Sequence, residues 1–340
     1  MNSKSFPSIT QNILQNMILN NTDLNKEQKD NIFNPTILDS KYKKMLINQT
    51  ISNTKIGLYK TIPKTKTVVF SYQNNYNPSN INNICNVSVI HKHSLDIISK
   101  YVNNTNTNMP AIMNVVGSDF NGTSFDNEIR DDMINLRTTF NNTVGTTNPY
   151  PLKDNECTHS KYVFLIRDPY DGFIPIENIV KFSLITVSPI DNPQLLSETK
   201  MTSDNYIKTC SKIETFFQTA IAGNNNILFL SPFGDKEDNN PVNDIIKIYN
   251  YCIYKYGFKF NEIIIAIPEY YSNEDFEEYD KNIIRPQLIT DEIDMNYDKL
   301  EMENNLLNNN DVINDDDELL TKIQTNPALL NMIKKMLVNN

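Results

Sequence analysis

The stretch Asn114-Val-Val-Gly-Ser-Asp-Phe-Asn-Gly122-Thr-Ser-Phe125 decides how this sequence is interpreted. The apolar residues that lead into it, 111–116, predict a buried strand. A glycine-bearing loop follows, and the pair Asp131-Asp132 lies in a predicted helix at about 127–140. This order is typical of a loop that wraps a phosphorylated ligand and presents an acid to it.

Apolar runs alternate with amphipathic segments on both sides of this stretch. Most runs are continuously apolar, as expected for strands that are buried on both faces. Seven of them predict strands: Val68–Tyr72, Val87–Ile90, Ala111–Val116, Tyr162–Ile166, Phe182–Val187, Ile227–Leu230 and Ile263–Ile267. Helical patterns fall at about 36–51, 93–102, 127–140, 204–222 and 241–256. Strands that alternate with helices predict an α/β protein, here a three-layer α/β/α sandwich with a central mixed sheet.

Charge is concentrated at the C-terminal end of the chain. From Glu269 onward there are 17 acidic and 6 basic residues, and the rest of the chain is nearly neutral, with 24 acidic and 25 basic residues. The neutral part has no basic stripe that could follow a phosphate backbone, so we expect no nucleic-acid partner. High charge with low hydrophobicity predicts that most of 270–318 is disordered, with Glu274–Asp280 a solvated linker.

These patterns divide the chain into three parts. We predict a polar helical extension over 1–60, a folded domain over 61–269 and an acidic, largely disordered tail over 270–340. The extension contains a weak amphipathic helix at 9–19. The tail ends in an amphipathic helix at 326–338, which either docks on its own domain or binds a partner protein.

The sequence also predicts a compartment. Its N-terminus lacks the apolar core of a signal peptide, and no apolar run approaches the ~20 residues that a bilayer requires. Four well-separated cysteines without a CxxC pair predict buried free thiols in a reducing environment: Cys85, Cys157, Cys210 and Cys252. We therefore expect an intracellular protein, cytoplasmic or nuclear, that does not bind membranes.

Histidine spacing gives no metal site. His91 and His93 form an H-x-H pair, but neither His159 nor the acids complete a recognisable ligand set. We expect structural or surface roles for these side chains, no metal and no cofactor.

From about Tyr42 to Pro268 the sequence resembles the microbial-type poly(ADP-ribose) glycohydrolases, a branch of the macrodomain superfamily. Their first loop has a pattern near N-F-A-S-x-x-N-P-G-G-G-F, followed after a few residues by Q-E-E. Here the stretch from Asn114 matches it without a gap and leads, four residues later, to Arg130-Asp-Asp132. Their second loop, near L-x-L-G-A-x-G-C-G-x-F-x-N-P, corresponds to Leu228-Phe-Leu-Ser-Pro-Phe-Gly-Asp-Lys-Glu-Asp-Asn-Asn-Pro241. The resemblance implies a macrodomain-like fold for 61–269.

The resemblance also implies which residues would meet a ligand. The family's catalytic acid, the second Glu of its pair, corresponds to Asp132, with Asp131 beside it. Ligand-binding positions carry over to residues of both loops: Asn114, Gly122, Thr123, Ser124, Phe125, Ser231, Phe233, Gly234 and Asn240. Proteins of this family do not generally need a metal.

Several of these positions depart from the family pattern. Only Gly122 remains of the triple glycine that lets backbone N–H groups approach a diphosphate. Asp132 is one methylene shorter than Glu, and a ~1 Å misplacement can reduce a rate about 10²-fold. Arg130 replaces a neutral Gln, and a nearby cation favours the ionised, non-donating carboxylate. The second loop carries charges that repel a diphosphate unless they point away: Asp235, Lys236, Glu237 and Asp238.

Together these features predict a divergent poly(ADP-ribose) glycohydrolase-like macrodomain that is catalytically weak or inactive. It would act as an ADP-ribose-binding or protein-interaction module, with ADP-ribose or an ADP-ribosylated protein as partner. Two alternatives stay open: an active ADP-ribosyl hydrolase with Asp132 as general acid, and a purely structural protein on a macrodomain scaffold. The hydrolase requires Asp132 in an open cleft, and the structural protein tolerates a cleft filled by Phe120 or Phe125.

Overall fold

The computed structural model describes residues 40–55, 66–73, 85–102, 109–120, 122, 132–140, 149–168, 173, 175–197 and 199–288. Its centre is a seven-stranded sheet, and a short hairpin lies outside it. The sheet strands are β1 (Lys66–Ser71), β2 (Asn86–Ile90), β3 (Ala111–Val115), β4 (Glu156–Arg167), β5 (Pro175–Val187), β8 (Ile227–Leu230) and β9 (Glu262–Ala266). The hairpin pairs β6 (Leu195–Ser197) with β7 (Lys200–Met201).

The sheet is mixed, with the strand order β1-β4-β5-β3-β8-β9-β2. The five strands from β5 to β2 are parallel, whereas β4 is antiparallel to both β5 and β1. Because parallel strands end at one edge of a sheet, the loops after β3, β8 and β9 meet there. Both loops that resemble the glycohydrolases follow strands of this group.

Helices cover both faces of the sheet. They are α1 (Ser40–Lys55), α2 (Ser94–Ile97), α3 (Asp132–Arg137), α4 (Ser203–Ala222), α5 (Val242–Tyr256) and α6 (Asn273–Asn282). Short 3₁₀ turns follow α2, α5 and α6, at Ile98–Lys100, Gly257–Lys259 and Pro286–Leu288.

Two separate apolar cores lie on opposite faces of the sheet. In β3, Met113 and Val115 pack with α4 and α5 in one core, and Ile112 packs in the other with Leu95 of α2 and Ile134 of α3. A strand with a core on each side is apolar at most of its positions, which explains the continuous runs in the sequence. The predicted three-layer α/β/α fold with a central mixed sheet is confirmed.

The predicted elements agree with the structure through most of the described chain. Each of the seven predicted strands overlaps an observed strand, and each of the five helical patterns overlaps a helix. The four cysteines are buried free thiols, as predicted. The predicted helices at 9–19 and 326–338 lie outside the described residues. None of the described helices has the length and apolar character needed to cross a membrane.

The start of the acidic tail was predicted wrongly. We expected a solvated linker from Glu274 to Asp280, but this segment forms α6, with a capping box between Ser272 and Asp275. Tyr279 of α6 is completely buried. The segment is acidic on average, but as a helix it carries its aromatic side chains on one face. That face packs against the domain. The limits 1–60, 61–269 and 270–340 otherwise stay predictions.

Candidate functional site

A small cleft lies where β3, β8 and β9 end, the edge at which open α/β sheets bind ligands. Its volume of about 30 Å³ leaves room for roughly one or two water molecules. An apolar floor, an aromatic wall and a few polar groups surround it. The lining residues are Met113, Val115, Ser231, Pro232, Gly234, Glu237, Pro268, Tyr270 and Tyr271.

The second loop, residues 231–240, is fixed by one glycine and one asparagine. Gly234 has a φ of +69°, and a Cβ atom there would lie 2.7 Å from both Nδ2 of Asn240 and Cβ of Pro189. Asn240 donates from Nδ2 to the carbonyls of Ile190 at 2.9 Å and Gly234 at 3.2 Å. It is 2% exposed, so its side chain fastens the loop rather than lining the cleft.

Two other predicted residues of this loop have different surroundings. Ser231 lines the cleft, and its hydroxyl donates to the carbonyl of Met113 at 3.3 Å. The Ser231 carbonyl accepts from the hydroxyl of Tyr249, which joins the loop to α5. Phe233 is fully buried in the core beneath the loop. Its ring packs the loop against the sheet and does not face the cleft.

The charged side chains of the second loop mostly point away from the cleft. Asp235 accepts hydrogen bonds from the hydroxyls of Tyr271 at 2.7 Å and Tyr279 at 3.0 Å. Burial raises the pKa of Asp235, and these two donors oppose that rise. Asp238 is completely buried.

The other two charged side chains of the loop, Lys236 and Glu237, point in different directions. Nζ of Lys236 lies 3.1 Å from Oδ2 of Asp275 and 3.9 Å from the centre of the Tyr271 ring. Glu237 is exposed and lines the cleft. Of the three carboxylates in this loop, only that of Glu237 lines the cleft.

Asn114 lies on the other face of the sheet from the cleft. It shares that face with Ile112, whereas its neighbours Met113 and Val115 line the cleft. Asn114 is completely buried and donates from Nδ2 to Oγ1 of Thr186 at 3.0 Å. Within the described part of the chain, its Oδ1 has no hydrogen-bond partner.

The buried polar pair Asn114–Thr186 continues into a chain of hydroxyl groups. The hydroxyl of Tyr150 lies 3.0 Å from Oγ1 of Thr158, and Thr186 also bonds to it. Burial raises the pKa of Tyr150, so this phenol stays protonated. No local pattern in the sequence predicts this network, because its members come from three separate strands and a loop.

The first loop is described only in part. Gly122 is buried with a φ of +83°, a conformation that favours glycine. Phe120, just before it, is 1% exposed and packs edge-to-face on Tyr150 with 4.6 Å between the ring centres. Asp132 is the first residue of α3. The predicted residues Thr123, Ser124, Phe125 and Asp131 lie outside the described residues.

The histidines have structural contacts. His93 caps α2 by accepting at Nδ1 from the backbone N–H of Leu95, 3.1 Å away. His91 stacks on Phe276 of α6, with 4.8 Å between the ring centres. In the described ranges, no cluster of three or more His, Cys, Asp or Glu side chains could hold a metal ion.

Sequence reasoning missed the aromatic wall of the cleft. Tyr270 and Tyr271 lie just beyond the predicted domain limit, in a stretch that we interpreted as disordered. The capping box Ser272–Asp275 was the available signal, since it predicts a helix immediately after these tyrosines.

Comparison with solved structures identifies the fold. Poly(ADP-ribose) glycohydrolase from Thermomonospora curvata aligns with a TM-score of 0.56 and 10% identity, covering 71% of this chain and 99% of that chain. The same protein bound to the inhibitor ADP-HPD gives 0.53 and 11%, covering 70% and 98%. Poly(ADP-ribose) glycohydrolase from Deinococcus radiodurans in complex with ADP-ribose gives 0.51 and 11%, covering 66% and 96%.

These similarities are confined to structure. No protein-family model matches the sequence, and no curated protein matches it. The chain therefore has a poly(ADP-ribose) glycohydrolase-like macrodomain fold, as the loop patterns predicted.

Proposed function

We propose that this macrodomain-like chain binds ADP-ribose, free or attached to a protein, along the strand ends beside the second loop. The observation that carries the proposal is the direction of the charges on that loop. Asp235 bonds to two phenol groups, and Asp238 is buried. A diphosphate that approaches Gly234 therefore meets mainly backbone rather than a row of carboxylates.

The other groups around the cleft suit the remaining parts of ADP-ribose. The exposed carboxylate of Glu237 accepts hydrogen bonds, as the hydroxyls of a ribose require. Tyr270 is 59% exposed and offers an aromatic surface for a base. Because the cleft itself is small, the ligand lies across the strand ends rather than inside the domain.

We further propose that hydrolysis is slow or absent. Asp132, the first residue of α3, is one methylene shorter than the Glu of the family pattern, and a ~1 Å misplacement can reduce a rate about 10²-fold. In the sequence, Arg130 stands where the family pattern has a neutral Gln, and a cation beside a carboxylate favours its ionised, non-donating form. Asn114 is buried on the opposite face of the sheet from the cleft, where it cannot position a ribose bound there.

Calorimetric titration with ADP-ribose tests the binding proposal. We expect one-to-one binding by the wild type and its loss in Gly234→Ala, because alanine at a φ of +69° displaces the loop. Gly257→Ala is the matched control, since a Cβ there meets its nearest neighbour, Cys85, at an ordinary 3.5 Å. Absence of binding by the wild type up to millimolar ADP-ribose refutes the proposal.

A release assay on ADP-ribosylated protein separates the binding module from the hydrolase. We expect release at least about 100-fold slower than by the Thermomonospora curvata protein, and no further loss in Asp132→Asn. Fast release that Asp132→Asn abolishes would instead establish the active hydrolase. A correctly folded wild type that does not bind ADP-ribose would favour the purely structural alternative.

A further inference from the structure

Residues 271–288, which we call the C-terminal strap, fasten the far edge of the sheet to the second loop. At its end, Gln287 accepts at Oε1 from the N–H of Val87 at 3.1 Å and donates from Nε2 to the Val87 carbonyl at 2.6 Å. This amide occupies the outer edge of β2 as a neighbouring strand would. Asn250 of α5 bonds to the backbone of Asn282 at 2.8 Å and Ile284 at 2.9 Å.

The beginning of the strap contacts the second loop. The hydroxyls of Tyr271 and Tyr279 both donate to the carboxylate of Asp235, one to each oxygen. Lys236 pairs with Asp275 in the first turn of α6. Two consecutive residues of the loop are therefore held by side chains that lie 36 to 44 positions further along the sequence.

Different contacts hold different parts of the second loop. Asn240 ties its own end of the loop to the carbonyls of Gly234 and Ile190. The residues between, Asp235 and Lys236, depend on the strap. They are flanked by Gly234 and Glu237, both of which line the cleft. A shift of the Asp235 carboxylate therefore moves two groups of the cleft at once.

We propose that Tyr279 is a positioning residue for the ligand site: by holding Asp235 it fixes the second loop and keeps a half-buried carboxylate turned away from the ligand. Tyr279 is completely buried and does not line the cleft, so it acts through Asp235 and not by touching the ligand. The inference rests on the proposed ADP-ribose site for its effect on affinity. Its effect on the free protein does not depend on that function.

Hydrogen exchange in the free protein tests the mechanical part. In Tyr279→Phe we expect faster amide exchange over 232–238 with unchanged exchange in β4, because the loop loses one of its two phenol donors. Tyr256→Phe is the matched control: it removes a buried hydroxyl that donates to the Glu214 carboxylate at 2.8 Å, at the end of α5 that lies away from the second loop. Tyr256→Phe should leave exchange over 232–238 unchanged.

A double-mutant cycle of Tyr279 and Asp235, with the Kd for ADP-ribose as its readout, tests whether Tyr279 positions the ligand site through Asp235. We expect Tyr279→Phe to raise the Kd for ADP-ribose at least about fivefold, within the range usual for coupled sites. In an Asp235→Ala background the same change should alter Kd by less than about twofold, since the residue through which it acts is gone. Tyr256→Phe should lower the stability of the protein about as much as Tyr279→Phe does, but it should leave the Kd for ADP-ribose unchanged.

The outcomes separate the two proposals. If the wild type does not bind ADP-ribose, the proposed function fails and the exchange experiment alone decides the positioning role. Unchanged exchange over 232–238 in Tyr279→Phe overturns the inference. So does an equal effect of Tyr279→Phe on Kd in the presence and absence of Asp235, or an equal loss of affinity in Tyr256→Phe.

Discussion

The buried imidazole of His159 makes the stability of this fold depend on pH. His159 of β4 is 2% exposed, and among the described residues its Nε2 has no hydrogen-bond partner. Burial and the nearby charge of Lys161 lower the pKa of His159 to about 4. In the unfolded chain the pKa of a histidine is about 6.5. The unfolded chain therefore binds this proton more tightly than the folded chain does.

The sign of this effect gives a prediction. Stability should fall as pH drops from about 6.5 towards 4, and His159 should contribute about 2 kcal/mol of loss by pH 5. Urea unfolding of the wild type and His159→Gln at pH 7 and pH 5 measures it. The difference in unfolding free energy between the two proteins should shrink or reverse at pH 5. A difference that is the same at both pH values contradicts the assignment.

Asn114 shows what residue spacing predicts and what it does not. The match from Asn114 to Phe125 identified the fold correctly. However, side chains alternate between the faces of a strand, so a residue can keep its place in a motif while its environment changes. The structure was needed to show that Asn114 lies on the face of the sheet away from the cleft, where it bonds to Thr186.

Among the elements, α1 is docked by one buried guanidinium. Arg167 at the end of β4 donates to Oγ1 of Thr50 and to the carbonyls of Leu46 at 3.3 Å and Leu136 at 3.2 Å. It therefore joins α1, α3 and the sheet. Arg167 is 1% exposed, so its loss removes buried hydrogen bonds that hold α1 to α3 and to the sheet.

We predict that Arg167→Met lowers the unfolding free energy by about 3 kcal/mol and makes residues 40–55 susceptible to proteolysis. Urea unfolding and limited trypsin digestion measure the two effects. Arg285→Met is the control, because the partner of Arg285, Asp280, is 46% exposed and such a pair contributes at most about 1 kcal/mol. Equal effects of the two changes would show that Arg167 has no special role.

Removal of the C-terminal strap should destabilise the protein. A chain that ends at residue 269 loses the buried side chains of Tyr279 and Ile283 and leaves Asp235 without its phenol donors. We expect it to unfold at least about 10 °C below a chain that ends at residue 290, which keeps every strap contact. Equal melting temperatures would mean that the acidic segment is only loosely attached, as the sequence had indicated.

At the scale of the whole molecule, the sequence predicted the class of fold but not the arrangement of the strands. The seven apolar runs are local signals, and all of them formed strands. The order that brings β3, β8 and β9 together depends on contacts between distant segments, which no local pattern records. The cleft was missed in part for the same reason, since Tyr271 reaches Asp235 across 36 positions of sequence.

The proposed site for ADP-ribose lies where β3, β8 and β9 end, beside Gly234. The structure of a crystal grown with millimolar ADP-ribose will show whether the ligand binds there. We expect density for a diphosphate against the backbone of residues 232–236, with Asp235 still bonded to Tyr271 and Tyr279. An empty cleft, or a ligand bound elsewhere on the molecule, would contradict it.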